Sequence, residues 1–215
     1  MHMTTSRLWI LGLVVLSFAV GVFFYPRLPA MVASHWNGRG QVDGYTTRFW
    51  GVFLLPMTLA GIAGLLLAIP GIDPLKANIA RFRAQYDTFV LLVVGFLLYL
   101  HLLTLLWNLG LSMHFLQMLA PAVAIVFYAI GALMQHTRRN YFIGIRTPWT
   151  LSSDEVWDRT HKAAGKWFKW AGLVALGGVL RPDLGVVLTL LPVVAAALYS
   201  VVYSYLEYQR LSKET

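Results

Sequence analysis

Six long apolar runs constrain this chain more than any other feature. They are Leu8–Tyr25, Phe49–Ile69, Thr88–Leu109, Leu111–Met134, Ala163–Leu180 and Leu184–Leu206. A helix needs about 20 mostly apolar residues to cross the hydrocarbon of a bilayer. Composition agrees: 58% of the 215 residues are hydrophobic and only 12% are charged, where a soluble domain carries about 25% charge. So little charge cannot coat a globule of this size, which excludes an ordinary soluble enzyme or binding domain. The chain has no cysteine, so disulfides, thiolate metal sites and a cysteine nucleophile are excluded as well. The net charge of +8 sits in short loops between apolar runs. That placement fits topology and lipid headgroups rather than direct nucleic-acid binding.

The third and fourth runs meet near Gly110 and read as a tight hairpin. The fifth carries Lys166 and Lys169, whose amines can reach the interface beside Trp167 and Trp170. The first run follows Arg7, lacks a small-residue cleavage site and leads into Tyr25-Pro26-Arg27; it reads as a retained helix. With six spans, twelve Lys and Arg fall on the side of the termini and four on the other, which places both termini in the cytoplasm. The expected fold is an all-α integral membrane protein with six transmembrane helices, an outer loop cap over 26–48, and a cytoplasmic loop plus amphipathic interfacial helix over 135–166. All nine acidic residues lie outside the run cores or at their edges, which argues against a carrier with a buried carboxylate relay. Pro56, Pro121 and Pro192 are tolerated kinks. Gly61, Gly64, Gly177 and Gly178 are expected to let helices approach closely.

Two loops are more than connectors. The outer loop, Pro26–Arg48, is long for a link between spans. Asn37-Gly38 and Asp43-Gly44 mark turns. His35, Trp36, Asn37, Asp43 and Tyr45 form its polar and aromatic set. They suit a folded cap, a ligand or peptide contact, or a metal site on His35, Asp43 and Asn37, although no metal-ligand spacing is matched. The cytoplasmic loop, Gln135–Lys162, mixes basic and apolar residues, with Gly144 and Pro148 breaking regular structure. Ser152 and Glu155 have the spacing of a capping box. Beyond them Val156, Thr160, Ala163 and Trp167 share one helical face, which predicts an amphipathic helix at the inner interface. This loop is either a positive anchor or a docking surface. Within the third run, His101 and Asn108 share a face as intramembrane polar groups, candidates for function or for interhelical hydrogen bonds. No HExxH, GxSxG or phosphate-binding glycine motif occurs, so no enzyme activity, catalytic residue, metal or cofactor is expected.

The two loops together resemble the SdpI family. Leu28-Pro29, His35-Trp36-Asn37, Gly40, Asp43-Gly44-Tyr45 and Arg48 look like its N-terminal module. Asn140, Gly144-Ile145-Arg146-Thr147-Pro148-Trp149-Thr150-Leu151, Val156-Trp157 and Thr160-His161 resemble its C-terminal module. The resemblance covers about 10–60 and 125–205. It implies a bacterial plasma-membrane immunity protein that resists a secreted peptide toxin acting on the membrane potential. It also implies a signal receptor that holds a cytoplasmic autorepressor at the membrane. The outer contacts would be His35, Trp36, Asn37, Asp43 and Tyr45. The cytoplasmic contacts would be Asn140, Arg146, Thr147, Pro148, Trp149, Trp157 and His161. The chain then divides into an N-terminal module (1–70), a middle hairpin (71–124) and a C-terminal module (125–215). The rival readings are a small transporter or channel-like protein, and a metal-dependent membrane enzyme using the outer loop.

Overall fold

The computed structural model describes residues 5–111 and 113–214. Helix α1 (Thr5–Phe24) leads through a short 3-10 turn into an antiparallel hairpin, β1 (Met31–Trp36) and β2 (Val42–Thr47). Then come α2 (Arg48–Ile72), the short α3 (Lys76–Ala80), α4 (Arg83–Asn108) and α5 (Phe115–Met134). After a long loop follow α6 (Pro148–Ser152), α7 (Asp154–Ala175), α8 (Gly177–Leu180) and α9 (Gly185–Glu214). Among the described residues five helices are long and apolar enough to cross a membrane: α1 with its following turn, α2, α4, α5 and α9 with its preceding turn. Together with the bundle's apolar exterior, they make this a multi-pass membrane protein.

The bundle has two halves. In the first, α4 packs against α1 and α2 around Ile10, Leu59, Phe82, Tyr86, Val90 and Val94. In the second, α7 lies between α5 and α9, with Met134, Ala164, Phe168 and Ala196 buried among them. The α4–α5 contact joins the halves.

Four expectations change. The outer loop cap is a β-hairpin, because alternation over Val42–Thr47 and the Asn37–Gly40 turn let the backbone pair with itself. The link after α4 is longer than foreseen: Gly110 at φ 90° ends the helix, and α5 begins only at Phe115. The fifth run is not among the five apolar spans, since α7 opens with Asp154, Glu155, Asp158, Arg159 and Lys162. Helix α7 has two apolar faces, and Trp170, Leu173 and Val174 on the outer one are exposed. It buries Val156, Trp157, Thr160, His161, Ala164, Gly165 and Phe168 inside the bundle, while Trp167 is exposed. The capping box also moves. Thr147 and Thr150 form it at the start of α6, and Ser153 caps α7 by accepting from the Val156 amide. Ser152 donates instead to the Trp149 carbonyl.

Helix α7 runs antiparallel along α5. Gly165 meets Gly131 and Gln135, Gly172 meets Ala124 and Tyr128, and Gly178 meets Ala120. Gln117 then donates to the Val179 carbonyl at 2.8 Å. The α7–α8 segment thus reaches from the end of α5 back almost to its start.

Candidate functional site

The predicted residues fall at opposite ends of the bundle. At the hairpin end, Asn37 builds the turn: its side-chain oxygen accepts from the Arg39 and Gln41 amides at 2.9 and 3.1 Å. Gly40 adopts φ 74°, with the His114 ring packed against it. Trp36 faces inward, stacked on Phe115 at 3.9 Å and edge-on to Trp107 at 5.6 Å. Its indole N–H is buried without a partner. His35 and Asp43 pair across the strands at 2.5 Å and stay exposed, as does Tyr45. The five residues therefore divide: Trp36 and Asn37 hold the hairpin together, while His35, Asp43 and Tyr45 offer an outward surface.

What fixes this surface to the bundle is Asn108. Its carboxamide oxygen accepts from the Ala33 amide at 2.7 Å, and its nitrogen donates to the Ala33 carbonyl at 3.0 Å. A side chain at the end of α4 thereby imitates a neighbouring strand for β1. Arg48 adds a second tie, donating from Nε to the Pro29 carbonyl at 3.1 Å. On the other side Gly51 lets Val32 sit where any side chain would overlap it. Beneath the hairpin lies a cavity of about 300 Å³ walled by Trp36, Trp50, Thr104, Phe115 and Leu119. Trp50, Gly51, Trp107 and Phe115 carry no polar signal in sequence, so they are recognised as parts of this end only in three dimensions.

At the other end the loop after α5 is ordered by buried polar residues. Asn140 is fully buried; its oxygen accepts from the Phe142 and Ile143 amides and its nitrogen donates to the Arg138 and Ile143 carbonyls. Gly144 takes φ 104°, and His161 occupies the space a side chain would need. His161 Nδ1 donates to the Trp157 carbonyl at 2.8 Å, which leaves Nε2 to accept from the Ile145 amide at 2.9 Å. That arrangement needs a neutral ring. Burial pushes the His161 pKa down to about 4, against smaller opposing effects from the Trp157 carbonyl and Asp158. The indole of Trp157 stacks on this ring at 4.0 Å and donates to the Thr137 carbonyl. Thr147 reaches Ser204 of α9 at 3.0 Å.

The connection between α2 and α4 holds the same loop. Buried Asp73 accepts from the Tyr141 amide at 2.9 Å, and Asn78 donates to the Arg139 carbonyl at 2.8 Å. Ion pairs ring this end: Arg139 with Asp154, Lys162 with Asp158, and Arg159 with both Glu155 and Glu207. Asn140, Thr147, Trp157 and His161 are thus internal supports. Arg146 and Pro148 are exposed, next to exposed Tyr141 and Phe142, which the sequence reading did not single out. Trp149 is half-buried against Tyr205. Arg146 donates to the Tyr141 carbonyl at 2.7 Å, which brings these groups into one patch.

Of the intramembrane pair, Asn108 ties down the hairpin, while His101 lies fully buried beside Gly21. The described residues hold no cluster of three or more His, Asp or Glu able to bind a metal.

Residues 136–204 match the family model described as the SdpI/YfhL protein family, and residues 12–60 match a domain of unknown function, DUF1648. Over 203 residues the chain is 27% identical to the immunity protein SdpI of Bacillus subtilis (strain 168). That alignment covers 93% of this chain and 94% of the relative. No solved structure matches. The resemblance to the SdpI family is shown. With the five apolar helices it makes the chain a multi-pass protein of the bacterial plasma membrane.

Proposed function

We propose that this SdpI-like chain is a membrane immunity protein without catalytic activity, conferring resistance to a secreted peptide toxin. The observation that carries the reading is the likeness to an immunity protein along nearly the whole of both chains. The geometry supports it. A recognition protein needs ordered surfaces rather than a reactive cleft, and each end of this bundle carries one. The positive-inside bias favours the hairpin end as the outer one. There His35, Asp43 and Tyr45 are the contacts for toxin, and Trp36 and Asn37 hold them in place. We read α7–α8 as the sixth crossing, alongside α5, which keeps both termini in the cytoplasm. At the inner end the exposed patch of Arg146, Pro148, Tyr141 and Phe142 is the surface for a cytoplasmic repressor, with Asn140, Thr147, Trp149, Trp157 and His161 as its frame. If one molecule both protects and signals, toxin must bind one of two states of the bundle more tightly than the other.

The test is survival of toxin-challenged sensitive cells expressing the chain, with membrane potential followed by a dye. The wild type is expected to preserve both. Tyr45→Ala and His35→Ala should lose protection at equal membrane abundance, while Arg146→Ala should protect but fail to relieve repression. Cells that die with the wild-type protein in their membrane, across several toxins of this class, would overturn the reading.

A further inference from the structure

A second cavity lies far from the hairpin. It is a crevice of about 580 Å³ between α4 and the α5–α7 pair. Its floor is made of small residues, among them Ala124, Ala129 and Gly172, and its walls of Phe89, Leu92 and Leu173. Besides Tyr128 at mid-helix, the polar residues of its lining are Gln85 and Thr88 near the start of α4 and His136 just after α5. This is the end of the cationic loop. An apolar crevice of this size on a membrane-facing bundle offers dispersion contacts to whatever fills it, and lipid is the solvent at hand.

A second feature says which lipid. Lys169 of α7 lies half-buried in the bundle with no carboxylate within salt-bridge distance among the described residues. Its amine donates to Gln135 at 2.6 Å and sits 5.6 Å from the ring centre of Tyr128, which lines the crevice. A cation at membrane depth without a counter-ion is costly. Basic pockets between helices at the cytoplasmic face are where anionic headgroups dock.

We propose that this crevice is a binding site for an anionic glycerophospholipid of the inner leaflet. One acyl chain fills the trough between α4, α5 and α7. The phosphate lies at the end marked by Gln85 and His136, within the field of Lys169. The site bridges the two halves of the bundle, since one wall is α4 and the other belongs to the C-terminal half. Apolar lining with polar and cationic groups at one end fits an amphiphile better than the flank of a second copy, which would leave Lys169 unpaired.

The experiment is native mass spectrometry of the purified full chain in detergent, titrated with phosphatidylglycerol or phosphatidylcholine of the same acyl composition. The wild type is expected to keep phosphatidylglycerol about tenfold more tightly, the scale of one charge-assisted contact. Lys169→Gln should bring the two lipids level, and Ala129→Trp, filling the trough, should lower retention of both. Size-exclusion profiles show whether each variant is folded, and the wild-type comparison stands whatever they show. Equal retention of both lipids by the wild type would overturn the proposal. So would unchanged selectivity in folded Lys169→Gln, or a lipid-free dimer.

Discussion

Asn108 and His161 perform the same task at opposite ends: each ties loop backbone to a helix by meeting backbone hydrogen-bonding groups. Buried backbone groups must be paired, and losing such a partner costs about 1–3 kcal/mol. Asn108→Leu should therefore loosen the hairpin by that amount, seen as faster hydrogen exchange at the Ala33 amide with the helices unaffected. Exchange unchanged from the wild type would mean that Arg48 and the Trp36–Phe115 stack hold β1 unaided. For His161 the argument concerns protons. Its folded pKa is lowered from 6.5 to about 4, so between those values the unfolded chain binds more protons. Its contribution is complete above pH 6.5 and is lost as pH falls toward 4, a swing of about 3 kcal/mol. Thermal unfolding in detergent should show the wild type losing stability across that window, with a flatter profile for His161→Gln. Parallel profiles would remove His161 from the account. The sequence marked both residues as notable, yet their roles were not legible. Asn108 bonds a backbone 75 positions away, and His161 supports a glycine conformation that only coordinates reveal.

At the scale of elements, the α5–α7 seam shows what spacing can and cannot say. Gly61 and Gly64 look like a close-packing pair, yet nothing lies within 4 Å of a side chain added at either. The close approach falls at Gly131, Gly165 and Gly172, where an added Cβ would lie 2.5, 2.6 and 2.7 Å from the carbonyl oxygens of Gly165, Gly131 and Ala124. A motif of small residues fixes a face of a helix but not its partner. Gly165 and Gly172 also sat in a run read for its lysines and tryptophans. Backbone cannot yield as a flexible side chain can, so Gly131→Val and Gly172→Val should cost at least the 1–3 kcal/mol typical of overpacking. Gly61→Ala should be neutral or stabilising by up to about 1 kcal/mol, since alanine favours helix. Thermal midpoints of the three variants decide it, and equal losses would refute the seam. The hairpin was hidden for a related reason. Its turn residues were legible, but six-residue strands are too short to stand out beside long apolar runs, and the bulges near His35 break the alternation of β1.

The whole molecule turns on α7, and so does its orientation. Apolarity selects five helices and leaves α7 out. By packing, α7–α8 runs the length of α5, and the start of α9 comes within van der Waals reach of the hairpin turn, where Val186 would lie 3.8 Å from a side chain at Gly38. Packing is the stronger guide here, because the acidic residues of α7 gather in its first turns and pair there, and of its later lysines Lys166 is exposed while Lys169 is held by Gln135. Lys162 pairs with Asp158, and Arg159 with Glu155 and Glu207. A helix that pairs its acidic residues at one end and places glycines along the rest can cross beside a partner without being apolar throughout. The native chain has no cysteine, so single cysteines report position cleanly. With a membrane-impermeant maleimide on intact cells, Arg39→Cys and Leu184→Cys should label, while Ser152→Cys and Ser212→Cys should label only after permeabilisation. If α7 stays on the inner surface, Leu184→Cys becomes protected and Ser212→Cys reactive from outside. The C-terminal tail would then leave the cytoplasm, and the inner docking surface, which draws Thr147 against Ser204 and Trp149 against Tyr205 of α9, could not form as it stands. The proposed signalling role therefore depends on α7 crossing, and labelling at Leu184 tests both together.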